Sequence, residues 1–227
     1  MVRCATILEL IRGLRRGDAA ALVDIVMGSR QWPWPVSVST RTPLRRYPAI
    51  MNHEELASRI AETSVLRGTF TLRSGRTSSW YIDKYRFSTQ PDVLTALGKA
   101  FAQHIGDDVT LLAGAELGGI PLVTATSMAT NLPCLFIRNQ KKDYGTAKQF
   151  EGAVGAGDRV VVLEDVATTG GQVLEAASDI AATGATIDRI VAVVDRLQGA
   201  REQIESAGYA FDSLFTVRDF GIDPDVD

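Results

Sequence analysis

Two carboxylates and a pair of glycines fall within eight residues of each other in "LEDVATTGGQ", residues 163 to 172. Glu164 and Asp165 follow the apolar run Val160 to Leu163 and precede Val166, Ala167, Thr168, Thr169, Gly170 and Gly171. Adjacent carboxylates accept hydrogen bonds from sugar hydroxyls, or help place a hydrated divalent cation. Threonine hydroxyls and the unpaired N–H groups at a helix start, where the dipole also favours negative charge, suit a phosphate. Glycines lack a Cβ, so the backbone can close around that anion. Together these groups describe a ribose phosphate held at both ends. The bland alternative is a strand followed by a capped helix, with the acids in solvent. Competing phosphate signatures are absent: no GxxxxGK[ST] occurs, and "GAVGAG", residues 152 to 157, precedes its strand instead of following it.

Such a turn needs a rigid strand before it and a helix behind it. "RVVVLED", 159 to 165, reads as a buried strand, and a helix follows from 171 to about 183. In open parallel sheets ligands collect beyond the carboxyl ends of the strands, which is where Glu164 and Asp165 stand. Upstream, Leu56, Ala57, Ile60 and Val65 mark one face of a helix from residue 52 to near Gly68. Aromatic and β-branched runs on either side of Gly75 form a hairpin-like pair. A helix from Pro91 to about Gly106, the strand "VTLLAG", a helix over 120 to 131, the strand "PCLFIR" and a polar loop from 139 to about 158 come next. The strand "IDRIVAVVD", a short helix over 200 to 207 and a strand over 209 to 216 complete the chain. Apolar strands alternating with helices predict an α/β fold, a mostly parallel sheet covered by helices on both faces.

A chain of 227 residues supports one substantial core with appendages. Its 45% hydrophobic and 22% charged content is ordinary for a soluble globular protein. Cys4 and Cys134 stand far apart and define neither a disulfide framework nor a metal set. No apolar run approaches the ~20 residues that cross a bilayer, and no leader pattern opens the chain, which predicts a soluble cytoplasmic protein without membrane association. Residues 1–50 stand apart: eight arginines, no lysine and three acids give +5, against −8 for the remainder. An acidic body argues against nucleic-acid binding. Pro33, Pro35, Pro43 and Pro48 make the second half of that extension a loop. It could be an organellar transit-like segment, a poorly ordered tail, or the product of a start codon upstream of the natural one. Met51 followed by "NHEELASRIAETSVL" favours the last, so the expected division is 1–50 and 51–227.

The stretch from Val160 to Gly171, four apolar residues, two acids and then Thr-Thr-Gly-Gly, resembles the phosphoribosyl pyrophosphate (PRPP) signature of type I phosphoribosyltransferases. Four further segments resemble orotate phosphoribosyltransferases in their family order: "FTLRSGRTSSWYIDKYRF" (70–87), "GAELGGIPLVTA" (114–125), "IRNQKKDYGTAKQFEG" (137–152) and "VVDRLQGARE" (193–202). The resemblance implies the type I phosphoribosyltransferase fold with a small N-terminal hood. It implies transfer of 5-phosphoribose from PRPP to orotate in pyrimidine synthesis, with Mg2+ held mainly by PRPP and water and not directly by the protein. On it, Glu164 and Asp165 hold the ribose hydroxyls, and Val166, Ala167, Thr168, Thr169, Gly170, Gly171 and Gln172 surround the 5′-phosphate. Arg138 and Lys142 meet the pyrophosphate and, with Asp165, are the catalytic set. The loop over 138–150 completes the neighbouring site of a homodimer. Arg73 and Tyr144 are further PRPP contacts. Tyr81, Ile82, Thr168 and Arg196 surround orotate, whose carboxylate suits a guanidinium fork.

The chain departs from the family pattern at several places. Asn139 stands where lysine is common, with Lys141 nearby to compensate, and Tyr144 replaces a frequent histidine. Leu117 and Gly118 lie where some members carry Tyr-Lys, which leaves that loop to bind through its backbone. Trp80 reads as hairpin packing, and His53 and His104 as structural or exposed. Two other readings compete. A purine or uracil phosphoribosyltransferase would use a neutral base and leave Arg196 without a carboxylate, and a nucleic-acid-binding regulator would draw on the basic extension alone.

Overall fold

The structure, a computed structural model, describes residues 51–71, 75, 77–138 and 149–224. The Arg-rich extension 1–50 lies outside them, as do Arg73 and the 139–148 segment with Asn139, Lys141, Lys142 and Tyr144. The described chain runs α1 (His53–Ser64), β1 (Val65–Thr71), β2 (Thr77–Ile82), α2 (Lys84–Ser88), α3 (Pro91–Ala102), β3 (Leu111–Ala115) and α4 (Gly119–Thr130). It continues β4 (Cys134–Ile137), β5 (Phe150–Glu151), β6 (Arg159–Ala167), α5 (Gly171–Ala181), β7 (Thr186–Asp195), α6 (Ala200–Ser206) and β8 (Ala210–Thr216), ending in a 3-10 turn, Val217–Phe220.

The strongest apolar run becomes an inner strand. β6 lies in a six-stranded sheet ordered β5-β4-β3-β6-β7-β8. β3, β4, β6, β7 and β8 are parallel to their neighbours, and β5 runs antiparallel on β4. Val161, Leu163, Val191 and Val193 pack with Leu97, Phe101 and Leu122 of α3 and α4. Val160, Val162, Ile190 and Ala192 pack with Val173, Ala177, Ile180 and Ile204 of α5 and α6. This division follows the two-residue period of a strand. It also explains why "VVVL" shows no apolar–polar alternation, since helices cover both faces. Among the described residues no helix is long and apolar enough to cross a membrane.

A separate antiparallel hairpin, β1 with β2, follows α1 and forms the small N-terminal element. α1 opens in a capping box: the Glu55 N–H donates to Asn52 Oδ1 at 2.9 Å, and the Asn52 N–H donates to Glu55 Oε2 at 2.8 Å. The helix ends at Ser64 instead of near Gly68. Val65 is already extended at φ −83° and ψ 115° and pairs with Ile82, as its β-branched side chain favours. Other differences are small. α3 stops at Ala102, β6 runs two residues past Asp165, and the polar loop contains the two-residue strand β5. The short helix α2 is unforeseen; Asp83 caps it by accepting the Tyr85 N–H at 3.2 Å, and Phe87 buries it.

Candidate active site

β6 delivers Glu164 and Asp165 to a cavity of about 360 Å³ shared with Lys84, Glu116, Gly118 and Gln172. Asp165 is 1% exposed, so the reading of solvent-facing acids fails for it. A carboxylate this buried needs a partner. Lys84 supplies one: its Nζ lies 3.2 Å from Asp165 Oδ1 and 3.0 Å from Oδ2. The Val166 N–H also donates to Oδ1, at 2.6 Å. Burial by itself would lower the Lys84 pKa, but the adjoining Asp165 carboxylate overcomes this and raises it above the ordinary value. For Glu164, burial and then the charge of Asp165 push the carboxyl well above its ordinary value, with Lys84 opposing. The acidic pair is therefore unequal: Asp165 has the ammonium, and Glu164 has the carboxyl held above its ordinary value.

Gly118 makes room for this pair. A Cβ there would lie 1.5 Å from Asp165 Oδ2. Its backbone, at φ −70° and ψ −31°, is open to any residue, so the glycine serves space and not conformation. Gly170 serves both. It stands at the N-cap of α5 with φ +82°, and a Cβ on it would come within 3.0 Å of Ile204 Cγ1. No side chain caps α5, and its first helical hydrogen bond runs from the Leu174 N–H to the Gly170 carbonyl at 3.0 Å. The first turn thus carries the anion-attracting N–H groups and dipole of a helix start. Val166 and Ala167 remain in β6, paired with Val194 and Asp195, and Ala167 is buried, so it has backbone to offer a ligand. Thr168 is half-buried; Thr169, Gly171 and Gln172 are exposed.

The end of β7 adds a guanidinium. The Arg196 N–H donates to the Ala167 carbonyl at 2.9 Å, which ties the β7 turn to the end of β6. The guanidinium carbon of Arg196 lies 4.4 Å from the centroid of the Trp80 ring, and Trp80 is 3% exposed. Trp80 is thus hairpin packing, as expected, but packing beneath an arginine. Asp195 Oδ1 accepts the Leu197 N–H at 2.8 Å and shapes the turn that carries Arg196. Tyr81 is exposed with its ring 5.7 Å from that of Phe70, whereas the Ile82 side chain is buried in the core.

Arg138 stands at the base of the catalytic loop expected from the sequence. The pairs Phe136 with Glu151 and Ile137 with Phe150 close that base, and the Arg138 N–H donates to the Gln149 carbonyl at 2.9 Å. Arg138 Nη1 lies 3.5 Å from Glu151 Oε1. It lines a second cavity, of about 450 Å³, with Gln149, Gln172, Glu175 and Asp179. Gln172 borders both cavities, so they adjoin at the start of α5. Among the described candidates, the structure brings together Glu164, Asp165 and Gln172, sets Arg138 in the adjoining cavity, and holds Arg196 against the end of β6. Sequence reasoning missed Lys84. It stands 81 positions from Asp165, and a lysine after a strand carries no local signal of that partner.

Residues 86–225 match the phosphoribosyl transferase domain family. The chain is 44% identical over 170 residues to the orotate phosphoribosyltransferase of Natronomonas pharaonis, an alignment covering 74% of this chain and 97% of that one. It is 40% identical over 166 residues to the orotate phosphoribosyltransferase of Methanocaldococcus jannaschii, covering 73% and 94%. The crystal structure of Mycobacterium tuberculosis H37Rv orotate phosphoribosyltransferase in complex with PRPP is similar at a TM-score of 0.65 and 31% identity, over 75% of this chain and 99% of that one.

Proposed function

This chain belongs to the phosphoribosyltransferase domain family, among its orotate phosphoribosyltransferases, and from that premise we propose how its residues carry the reaction. The enzyme transfers 5-phosphoribose from PRPP to N1 of orotate, giving orotidine 5′-phosphate and pyrophosphate. One observation carries the assignment of the site: the Glu164–Asp165 pair opens into a cavity at the carboxyl end of an inner parallel strand, directly before the uncapped first turn of α5.

In this reading the 5′-phosphate rests on the backbone and hydroxyls from Val166 to Gln172. The ribose hydroxyls donate to Glu164 and Asp165. Rupture of the C1′–O bond sends its electron pair to pyrophosphate and leaves an oxocarbenium-like sugar, which N1 of orotate attacks as its N1–H proton passes to water or to the departing pyrophosphate. No covalent nucleophile is needed, so catalysis is positional and electrostatic. Arg138 and Lys142 take up charge developing on the leaving group, from the neighbouring subunit of a homodimer, with Arg73 and Tyr144 as further donor contacts. Arg196 meets the orotate carboxylate, with Thr168 beside it and Tyr81 and Ile82 flanking the ring, Ile82 through its backbone because its side chain is buried. Residues 51–227 make up the phosphoribosyltransferase domain, and the enzyme works in the cytoplasm.

Among the described residues no group of three or more His, Cys, Asp or Glu side chains could hold a metal ion. The donors that do face the cavity are carboxylate oxygens, which suit Mg2+, an ion that keeps its waters and binds through substrate phosphates. Mg2+ would thus be held by the oxygens of PRPP and by water, with Glu164 and Asp165 facing that shell, and when bound it supplies positive charge to the leaving group.

An absorbance assay of base consumption with PRPP and Mg2+ tests the activity. Orotate should be consumed, while adenine, hypoxanthine and uracil should not. Turnover of a neutral base in preference to orotate would overturn the assignment.

A further inference from the structure

Lys84 has no part in the roles above, yet it reaches the centre of the site. It opens α2, directly after the hairpin strand β2, and so reaches the cavity from an element remote in sequence from the phosphate-binding turn. Of the described side chains that line this cavity it is the one cation, and the other charged ones are Glu116, Glu164 and Asp165. Three carboxyl groups facing a single ammonium is a poor field for a polyanionic donor unless that ammonium serves the donor directly. A lysine ammonium has three diverging N–H donors. Asp165 engages it through both oxygens, at 3.2 and 3.0 Å, which leaves one N–H directed away from that carboxylate. Gly118 keeps this arrangement open, since a Cβ at 118 would strike Asp165 Oδ2. The ion pair also fixes the long lysine stem in advance, so little side-chain freedom remains to be lost when a ligand arrives.

We propose that Lys84 is a donor-contacting residue: its ammonium stays on Asp165 and turns its third N–H to an anionic oxygen at the pyrophosphate end of PRPP. The 5′-phosphate takes the uncapped turn of α5, so a cation beside the hydroxyl-binding acid is left for the other charged end of the donor. Lys84 then links the residue that holds the ribose to the group that departs from it. This inference rests on the reading of the cavity as a PRPP site.

Calorimetric titration of the full chain with PRPP and with ribose 5-phosphate, which lacks the pyrophosphate, tests it. Lys84→Gln keeps a hydrogen-bond donor for the buried carboxylate, whereas Lys84→Met would leave that charge unpartnered and risks the fold. Lys84→Gln should weaken PRPP by about tenfold or more, the worth of one hydrogen bond to a charged group. Ribose 5-phosphate should change by no more than roughly threefold, and Lys84→Arg should recover most of the PRPP loss. At saturating PRPP the KM for orotate should stay at its wild-type value. Equal weakening of both ligands would make Lys84 a support for Asp165 alone and overturn the proposal, as would undiminished PRPP binding in a folded Lys84→Gln. Amine acetylation of the unaltered protein, read by mass spectrometry, gives a second arm. PRPP should slow modification of Lys84 more than ribose 5-phosphate does, and equal protection overturns the proposal. Wild-type protein that binds neither ligand would instead refute the phosphoribosyltransferase site, and the role of Lys84 with it.

Discussion

Gly118→Ala should cripple the site through one methyl group. The new Cβ would lie 1.5 Å from Asp165 Oδ2, and ordinary contact begins near 3.4 Å, so the carboxylate must retreat by about 2 Å. That retreat forfeits the 3.0 Å bond to Lys84. Overpacking of this kind costs ~1–3 kcal/mol, and a weakened hydrogen bond between charged groups adds ~1.5–3 kcal/mol. Together they predict a loss of ~2.5–6 kcal/mol, or a fall in Tm of roughly 5–24 °C for a domain of this size. A displaced Asp165 also loses its charged hydrogen bond to the ribose, which should lower kcat/KM by roughly 10-fold to 100-fold. The backbone at 118 is compatible with alanine, so strain does not contribute. A double-mutant cycle isolates the cause. In an Asp165→Ala background the carboxylate is gone and only the 3.2 Å approach to the Cβ at 165 remains, so Gly118→Ala should cost less than about 1 kcal/mol. Wild-type stability in the single mutant, or an equal loss in the Asp165→Ala background, would refute the reasoning.

Trp80→Leu removes the aromatic face beneath Arg196, and a cation–π contact worth ~0.5–2 kcal/mol predicts an orotate KM raised roughly 2-fold to 30-fold. The Kd for PRPP, measured separately, should not follow. Lys142→Ala should reduce kcat with orotate by ~10²–10³, as loss of one transition-state donor does, and wild-type kcat would remove Lys142 from the reaction. Glu164→Gln probes the raised carboxyl. Because folding favours its protonated form, that contribution to stability is present below the ordinary glutamate value of 4.5 and is lost as pH rises through the higher folded value. The amide should therefore stabilise the protein near neutral pH while weakening PRPP. In urea unfolding the stabilisation should fade as the pH falls, and a gain that does not vary with pH would contradict the linkage.

The elements that build the site were legible for a physical reason. A run such as Val160 to Leu163 without alternation is what a strand covered on both faces requires, and a glycine pair directly after it marks the phosphate turn. Boundaries were less legible where apolar residues continue across a change of period. Val65 and Leu66 extend the apolar pattern of α1, but pairing with the hairpin partner turns them into strand. α2 and β5 are too short to show any period, at five and two residues. The pairings that complete the site are long-range. Nothing near Lys84 points to Asp165, and nothing near Trp80 points to Arg196, because both contacts exist only once the hairpin lies against the carboxyl ends of β6 and β7.

The most direct measurement is a crystal structure of the enzyme with PRPP and Mg2+. The 5′-phosphate should sit on the first turn of α5, with its oxygens on N–H groups between Thr168 and Gln172, and the ribose hydroxyls should donate to Glu164 and Asp165. Density for the donor elsewhere, or these two carboxylates turned away from its ribose, would contradict the site.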